Sequence, residues 1–326
     1  KNGLANSKLT WERTQEFNIG LDFGFFRNRI NGSLDVYQRT SKDLIMERQL
    51  PSTTGWTSVW DNIGKVRNTG LELSINTINV QTSDFSWQTN IIFDTNKNEI
   101  LELYGGKKDD IGNKWFIGEA INVNYDYEFD GIWQTSEADK AAIYGQTPGQ
   151  VKVKDQNHDN VIDAKDKVIL GQQLPKWTGS ITNTFTYKNW DLAFNVYTRQ
   201  GAQLNSTFVS SFMAYDGNYN QAKVDYWTET NPTNKYPQPG NKGKYFSSMC
   251  YQDVSFVRVG YITLGYTFPM SLLKPIGIKR LKLYATANNP FLFTSFKGFD
   301  PEWATQNTWG EATSTRTFLF GVKLAF

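Results

Sequence analysis

The sequence predicts an all-β chain, the wall of an antiparallel up-and-down transmembrane β-barrel, and three observations carry that prediction. Apolar residues recur at every second position through nine segments, the period of a strand with one greasy face. The connections between these segments are alternately short and long, as in barrels with tight turns on one side of a membrane and extended loops on the other. Aromatics make up 15% of the 326 residues, while no stretch approaches the ~18 consecutive apolar residues of a membrane helix. A barrel strand needs only about ten residues, with every second one apolar.

The segments follow in order. Over 11–25, Phe17, Ile19, Leu21, Phe23 and Phe25 alternate with Asn18, Gly20, Asp22 and Gly24. A polar turn at Arg27-Asn28-Arg29 leads into a second segment over 30–48, with Ile30, Leu34 and Val36 on one face. The third carries Leu71, Leu73 and Ile75, and the fourth Phe85, Trp87, Ile91 and Phe93, joined through Gln81-Thr82-Ser83-Asp84. Segments at 179–187 and 190–199 meet at Lys188-Asn189. The seventh, 255–268, changes phase between Val257, Val259 and Tyr261 and Ile262, Leu264 and Phe268, which predicts a bulge. The eighth spans 279–289, and the ninth ends the chain with Phe318, Phe320, Val322, Leu324 and Phe326 on one face. Long loops are expected at about 50–64, 98–176, 201–252 and 290–312. Trp11, Trp87, Tyr104, Trp177, Tyr187, Trp190 and Tyr284 fall near segment ends, where an interfacial aromatic girdle lies. Asp22, Asp35, Arg39, Glu72, Asp191, Tyr197, Arg199, Lys282 and Tyr284 take the inward face, where they line the lumen or contact the plug; the alternative, preferred for most of them, is the ordinary wetting of a polar interior. Nine strands cannot close a large barrel, and open edges are not tolerated in a membrane interior. The remaining strands are therefore expected from outside this chain.

Composition excludes several functions. A net charge of +2 with scattered Lys and Arg gives no field for nucleic acid. One histidine, His158, and one cysteine, Cys250, leave no His-rich metal site and no disulfide framework. No phosphate loop, nucleophile elbow or zinc spacing occurs, and pairs such as Asp109-Asp110 read as solvated surface, so no enzyme activity is expected. Lys1-Asn2-Gly3-Leu4 has no signal-peptide character; the chain reads as a fragment with its targeting segment upstream.

Several motifs in order resemble the SusC/RagA-like TonB-dependent outer-membrane transporters of Bacteroidetes. They are Leu9-Thr10-Trp11-Glu12 with Phe17-Asn18-Ile19-Gly20-Leu21-Asp22, then Asn62-Ile63-Gly64-Lys65-Val66-Arg67-Asn68-Thr69-Gly70-Leu71-Glu72-Leu73. Asp130-Gly131-Ile132-Trp133-Gln134, the Asp-rich loop at 155–166, Leu264-Gly265-Tyr266-Thr267-Phe268-Pro269 and Gly298-Phe299-Asp300-Pro301-Glu302 follow, and Arg316-Thr317-Phe318 opens the ending. Asn289-Pro290-Phe291 departs from the usual Asn-Leu-Phe and leaves the local geometry open. The resemblance implies the C-terminal part of a plugged barrel of about 22 strands, in a Gram-negative outer membrane, with plug and TonB-contacting segment preceding Lys1. It implies import of oligosaccharides, or of oligopeptides, with a SusD-like surface lipoprotein as lid. The loops at 98–176 and 201–252 would meet that lid, and Phe326 is similar to the terminal signal that barrel-assembly machinery reads.

The sharpest local motif runs from Asp155 to Asp166. Oxygen ligands at positions 1, 3, 5 and 12 of a 12-residue loop, with a carbonyl at 7, wrap Ca²⁺ in EF-hand-type loops. Here these are Asp155, Asn157, Asp159, Asp166 and the Val161 carbonyl, with Asp163 acting through water. Asn160 stands where Gly is usual, and Asp166 where Glu is usual. The expectation is a structural Ca²⁺; the alternative is an acidic surface loop without an ion. Trp56, Trp60, Trp115, Trp133, Trp227, Trp303 and Trp309 lie in the long loops as candidate ligand or lid contacts, against the alternative that they pack the loops. A competing reading of the whole chain is a secreted soluble carbohydrate-binding β-domain with a calcium loop.

Overall fold

A computed structural model describes residues 4–104, 106–215, 221–304 and 313–326. Among them, nine strands form one antiparallel sheet in sequential order. They are β1 (Arg13–Phe25), β2 (Ile30–Lys42), β3 (Lys65–Gln81), β4 (Phe85–Glu102), β5 (Trp177–Tyr187), β6 (Trp190–Gln200), β7 (Phe256–Thr267), β8 (Arg280–Thr294) and β9 (Thr317–Ala325). The connections after β1, β3, β5 and β7 are short, and those after β2, β4, β6 and β8 are long. The sheet is an open portion of a barrel, with β1 and β9 as its edges.

Register turns the alternation of each strand into two continuous faces. Ile75, Ile91, Ile181, Val196, Val259 and Phe291 stand opposite one another across six strands. One residue along β3, Asn76, Asn90, Thr182, Asn195, Tyr261 and Asn288 form the corresponding row on the other face. The apolar face stands open: Phe17 is 65% and Phe320 81% exposed. A monomer in water does not carry such a surface; a bilayer covers it. Rings gather at both margins, with Trp190 and Tyr266 4.7 Å apart near the short turns and Phe93 and Trp177 5.8 Å apart near the long loops.

The irregular phase of β7 is a bulge, with register shifts at Asn195/Val196 and at Val259/Tyr261. Opposite it on β8, Asn289 has φ of 50°, and Pro290 lies where the ladder skips a rung. A bulge is one of the few places where a strand accepts a residue without an N–H. β8 therefore continues to Thr294, correcting the expected loop start at 290. The 98–176 excursion likewise begins later, because β4 runs to Glu102. The second segment, expected to reach 48, breaks at Asp43, whose φ is 58°. Ile45–Gln49 then pairs with Ser58–Asn62 as a separate hairpin inside the loop.

Two glycines of the polar face are occupied by tyrosines. Tyr37 lies directly across from Gly70, and Tyr284 from Gly321, and a β-carbon at either glycine would collide with the facing ring. Gly265 serves a different contact: the Lys282–Asp191 ion pair, 2.7 Å long, passes over β7 at the position its missing side chain leaves free. Gly70→Val is expected to cost about 1–3 kcal/mol by overpacking, and much less in a Tyr37→Ala background. The check is a double-mutant cycle on thermal unfolding in detergent, which should show strong coupling.

Candidate functional site

The packed core of this chain lies above the wall. Apart from Leu273, the buried apolar side chains among the described residues lie in the long loops or at the strand ends entering them. The loops after β4 and β6 share one cluster, in which Ile132, Val151 and Val153 from the first meet Val209, Met213, Trp227 and Phe246 from the second. Short ladders add rigidity: Val123–Tyr127 pairs with Lys167–Gln172, and Gln203–Asn205 with Tyr251–Asp253. Cys250 sits in this cluster at 1% exposure. Burial pushes its thiol up to about 12, which makes it a packing residue, inert as a nucleophile.

This core absorbs some of the candidate tryptophans. Trp133 is 5% exposed and donates its indole N–H to Gln146 Oε1 at 3.0 Å. Trp227 is 2% exposed and donates to Gln134 Oε1 at 3.0 Å. Both are corrected from candidate contacts to core residues, because indoles with satisfied N–H groups and no free face offer nothing to a ligand. Trp115 packs against the cluster of Met46, Ile63, Val66, Ile100 and Leu103. Trp56, Trp60 and Trp303 remain exposed, and Trp309 lies outside the described residues. Phe326 ends β9's apolar face at 75% exposure.

The acidic loop is held by its own hydrogen bonds. Asp155 Oδ2 accepts the Asn160 N–H at 2.9 Å and the Tyr144 hydroxyl at 3.2 Å. Asp159 Oδ1 accepts the Val161 N–H at 2.9 Å. Asp166 is fully buried and takes the N–H groups of Gln156 and Asp163 at 2.9 and 2.8 Å. Asn160 has φ of 64°, the conformation for which such loops favour glycine and which asparagine tolerates. Burial alone would raise the Asp155 pKa, but the bonds from Asn160, Tyr144, His158 and Asp159 outweigh it and hold the carboxyl below its usual range. Asp155 Oδ1 is left buried with no partner. Among the described residues no three His, Cys, Asp or Glu side chains converge closely enough to hold a metal.

On the polar face of the wall, Asp35, Glu72 and Asp94 stand opposite one another on β2, β3 and β4. Arg39 pairs with Glu16 at 2.7 Å. Farther round, Tyr197 donates to Glu302 at 2.8 Å, and Arg199 pairs with the same carboxylate at 3.2 Å. Arg258 of β7 and Asp300 form an ion pair of 2.6 Å with side chains only 2% and 3% exposed. Asp300 also caps the turn Pro301–Trp303 by accepting the Glu302 N–H at 2.9 Å, and it takes the Ser314 N–H at 3.0 Å. This network pins the loop after β8 to the polar side of the wall. The network is not singled out by the sequence: Asp300 before Pro301 carries the local signal of a helical N-cap, but nothing local points to Arg258 as the partner. Burial alone would raise the Asp300 pKa, but Arg258 and two backbone N–H groups hold it below its usual range.

The pin is expected to hold at neutral and mildly acid pH. A depressed folded-state pKa gives stability that is lost as pH falls through it, here below about pH 4. Asp300→Asn leaves the buried Arg258 guanidinium with only its longer contact to Glu302, 3.7 Å, and should cost about 3 kcal/mol, whereas Arg258→Met with Asp300→Leu should cost far less. Protease sensitivity of the segment after β8, with the unfolding temperature, separates the two cases.

Comparison with known proteins is consistent with this architecture. The family model described as TonB dependent receptor-like, beta-barrel matches residues 2–289. TonB-dependent receptor P26 of Formosa agariphila is 32% identical over 314 residues, which cover 91% of this chain and 32% of that protein. TonB-dependent receptor SusC of Bacteroides thetaiotaomicron is 31% identical over 333 residues, 98% of this chain and 32% of its own length. The solved structure of the RagAB peptide transporter superposes with a TM-score of 0.78 at 26% identity, covering 99% of this chain and 36% of that one. The chain thus spans about a third of the length of these relatives.

Proposed function

The chain belongs to the TonB-dependent receptor-like β-barrel family, and from that membership we propose that it forms the wall and outer loops of a nutrient importer energised through TonB. The observation that carries this reading is the two-faced sheet: one face apolar and exposed, the other lined with amides, carboxylates and ion pairs, as suits an outer-membrane wall around a polar passage. In this reading the long loops are extracellular, and the unit built by the loops after β4 and β6 is the seat for a SusD-like surface lipoprotein. The edges β1 and β9 require partner strands from the rest of the protein, since hydrocarbon does not tolerate unpaired backbone. Plug and TonB contact belong to that remainder. A soluble carbohydrate-binding domain is not favoured, because it would leave the β1 and β9 apolar side chains in water.

The substrate is an oligomer, oligosaccharide or oligopeptide. Two supports lean toward peptide: the likeness to a structure described as a peptide transporter, and the turning inward of Trp133 and Trp227, which removes two platforms on which sugar faces could stack. Deleting the gene should abolish growth on defined peptides while leaving growth on free amino acids intact. Loss of growth on glycans alone would move the substrate to sugar, and unimpaired growth on every oligomer would overturn import.

The acidic loop is proposed to bind Ca²⁺ by rearrangement, since its carboxylates do not converge in this structure. Asp155, Asn157, Asp159 and Asp166 would exchange hydrogen bonds within the loop for bonds to the ion, with the Val161 carbonyl as a further ligand and Asp163 through water. The all-oxygen donor set suits a hard cation, and the orphaned Asp155 Oδ1 is the group a cation would satisfy. Its contribution is to rigidify the loop. Chelation of the purified transporter should expose residues near 155–166 to protease, with protection restored by Ca²⁺. Asp155→Asn should weaken Ca²⁺ binding at least about tenfold. Identical cleavage with and without Ca²⁺ would show that the loop's own hydrogen bonds suffice.

A further inference from the structure

A cleft of about 590 Å³ opens between the loops after β4 and β6, bordered by Lys297 of the loop after β8. Its floor is aliphatic and aromatic, with Val209, Met213, Val224 and Met249 beside Phe129 and Tyr236. Its rim carries Lys223, Lys235 and Lys297 against a single carboxylate, Asp225. Lys235 pairs with that carboxylate at 3.0 Å. The ammonium groups of Lys223 and Lys297 have no acceptor among the described residues, and both side chains are exposed.

The rim is also positioned. Gln252 grips the Lys297 backbone twice, donating to its carbonyl at 3.1 Å and accepting its N–H at 2.8 Å. Asn234 Oδ1 is held by the Ile132 N–H at 3.1 Å and the Gln134 amide at 3.0 Å. That leaves the Asn234 amide N–H₂ as a donor at the cleft edge. The volume lies in the range of ligand sites, which pair an apolar lining with a few placed polar groups. Unbranched methionines make a floor that adapts to side chains of different shape.

We propose that this cleft is a subsite for a peptide bearing carboxylates beside apolar side chains. The charge pattern selects the occupant: two ammonium groups without an acceptor among the described residues, set over an apolar floor, complement an acidic, partly aliphatic segment, in which carboxylates reach the rim as leucine-like side chains enter the floor. A neutral sugar offers no charge to Lys223 and Lys297, and no tryptophan among the described residues lines the cleft to stack on its face. The inference rests on the importer reading and deepens it by naming the class of peptide.

The test uses the intact transporter in detergent and a dye-labelled hexapeptide of alternating glutamate and leucine, followed by fluorescence anisotropy. Binding should weaken at least about tenfold when glutamine replaces glutamate in the peptide, and by a similar factor in the double variant K223Q/K297Q. Both lysines are exposed, so the double variant should keep the wild-type unfolding temperature. Met249→Glu, which places a like charge in the floor, should abolish binding of the acidic peptide. Equal affinity for the glutamine peptide, or an unchanged affinity in K223Q/K297Q, overturns the proposal. Uptake separates it from its premise. Peptide import with an unchanged KM in K223Q/K297Q defeats the subsite and leaves the importer standing. Binding that persists in a strain showing no uptake of any oligomer defeats the importer and leaves the site.

Discussion

Hydrocarbon offers a peptide group nothing to bond to, and most of this molecule follows from that fact. Each backbone N–H and C=O crossing the bilayer must find a partner on a neighbouring strand, so the described residues of the wall run up and down as nine antiparallel strands, each paired with the next. Once the ladder is fixed, the pleat assigns every second residue to lipid and the rest to water. The rows of Ile75 to Phe291 and of Asn76 to Asn288 are the two outcomes of that single assignment. Where the ladder must be interrupted, the interruption is a bulge, and the residue the ladder cannot use, Pro290, is placed there.

The hydrophobic effect acts elsewhere in the molecule. Lipid is as apolar as leucine, so the wall gains little from burying its greasy face against protein. The loops stand in water and can gain in the usual way. The loops after β4 and β6 do so together, with Trp227, Phe246 and Val151 packed in a common cluster; the loop after β2 packs in a second cluster around Met46 and Ile63, and Arg258 and Asp300 tie the loop after β8 to the wall. The result is a small water-soluble domain assembled from insertions and mounted on a membrane sheet. Rigid loops of this kind can present a cleft and a docking face, which long unstructured loops cannot.

The wall was legible in the sequence because a two-residue period is a local signal. Phe17 to Phe25 and Trp190 to Val196 declare their faces without reference to anything distant, and even the bulge in β7 showed as a phase change between Tyr261 and Ile262. The loop domain was not legible, because its determinants are long-range. Nothing near Trp133 reveals that Gln146 will take its indole N–H, and Gln134 lies 93 residues from Trp227. The Arg258–Asp300 pair is 42 residues apart, and only its capping half has a local signature. Strand ends were misjudged for a related reason: Pro290 reads as a terminator until the bulge opposite it is known.

The tyrosines seated on Gly70 and Gly321 bear on how the wall is assembled. Strands entering a membrane side by side could pair in several offsets that satisfy the backbone equally well. A ring and a bare backbone position meet only in the correct offset; a slip of two residues, which preserves which face is greasy, would bring Tyr37 against Asn68 or Glu72. The interlock thus proofreads alignment at the step where hydrogen bonding and hydrophobicity are both indifferent.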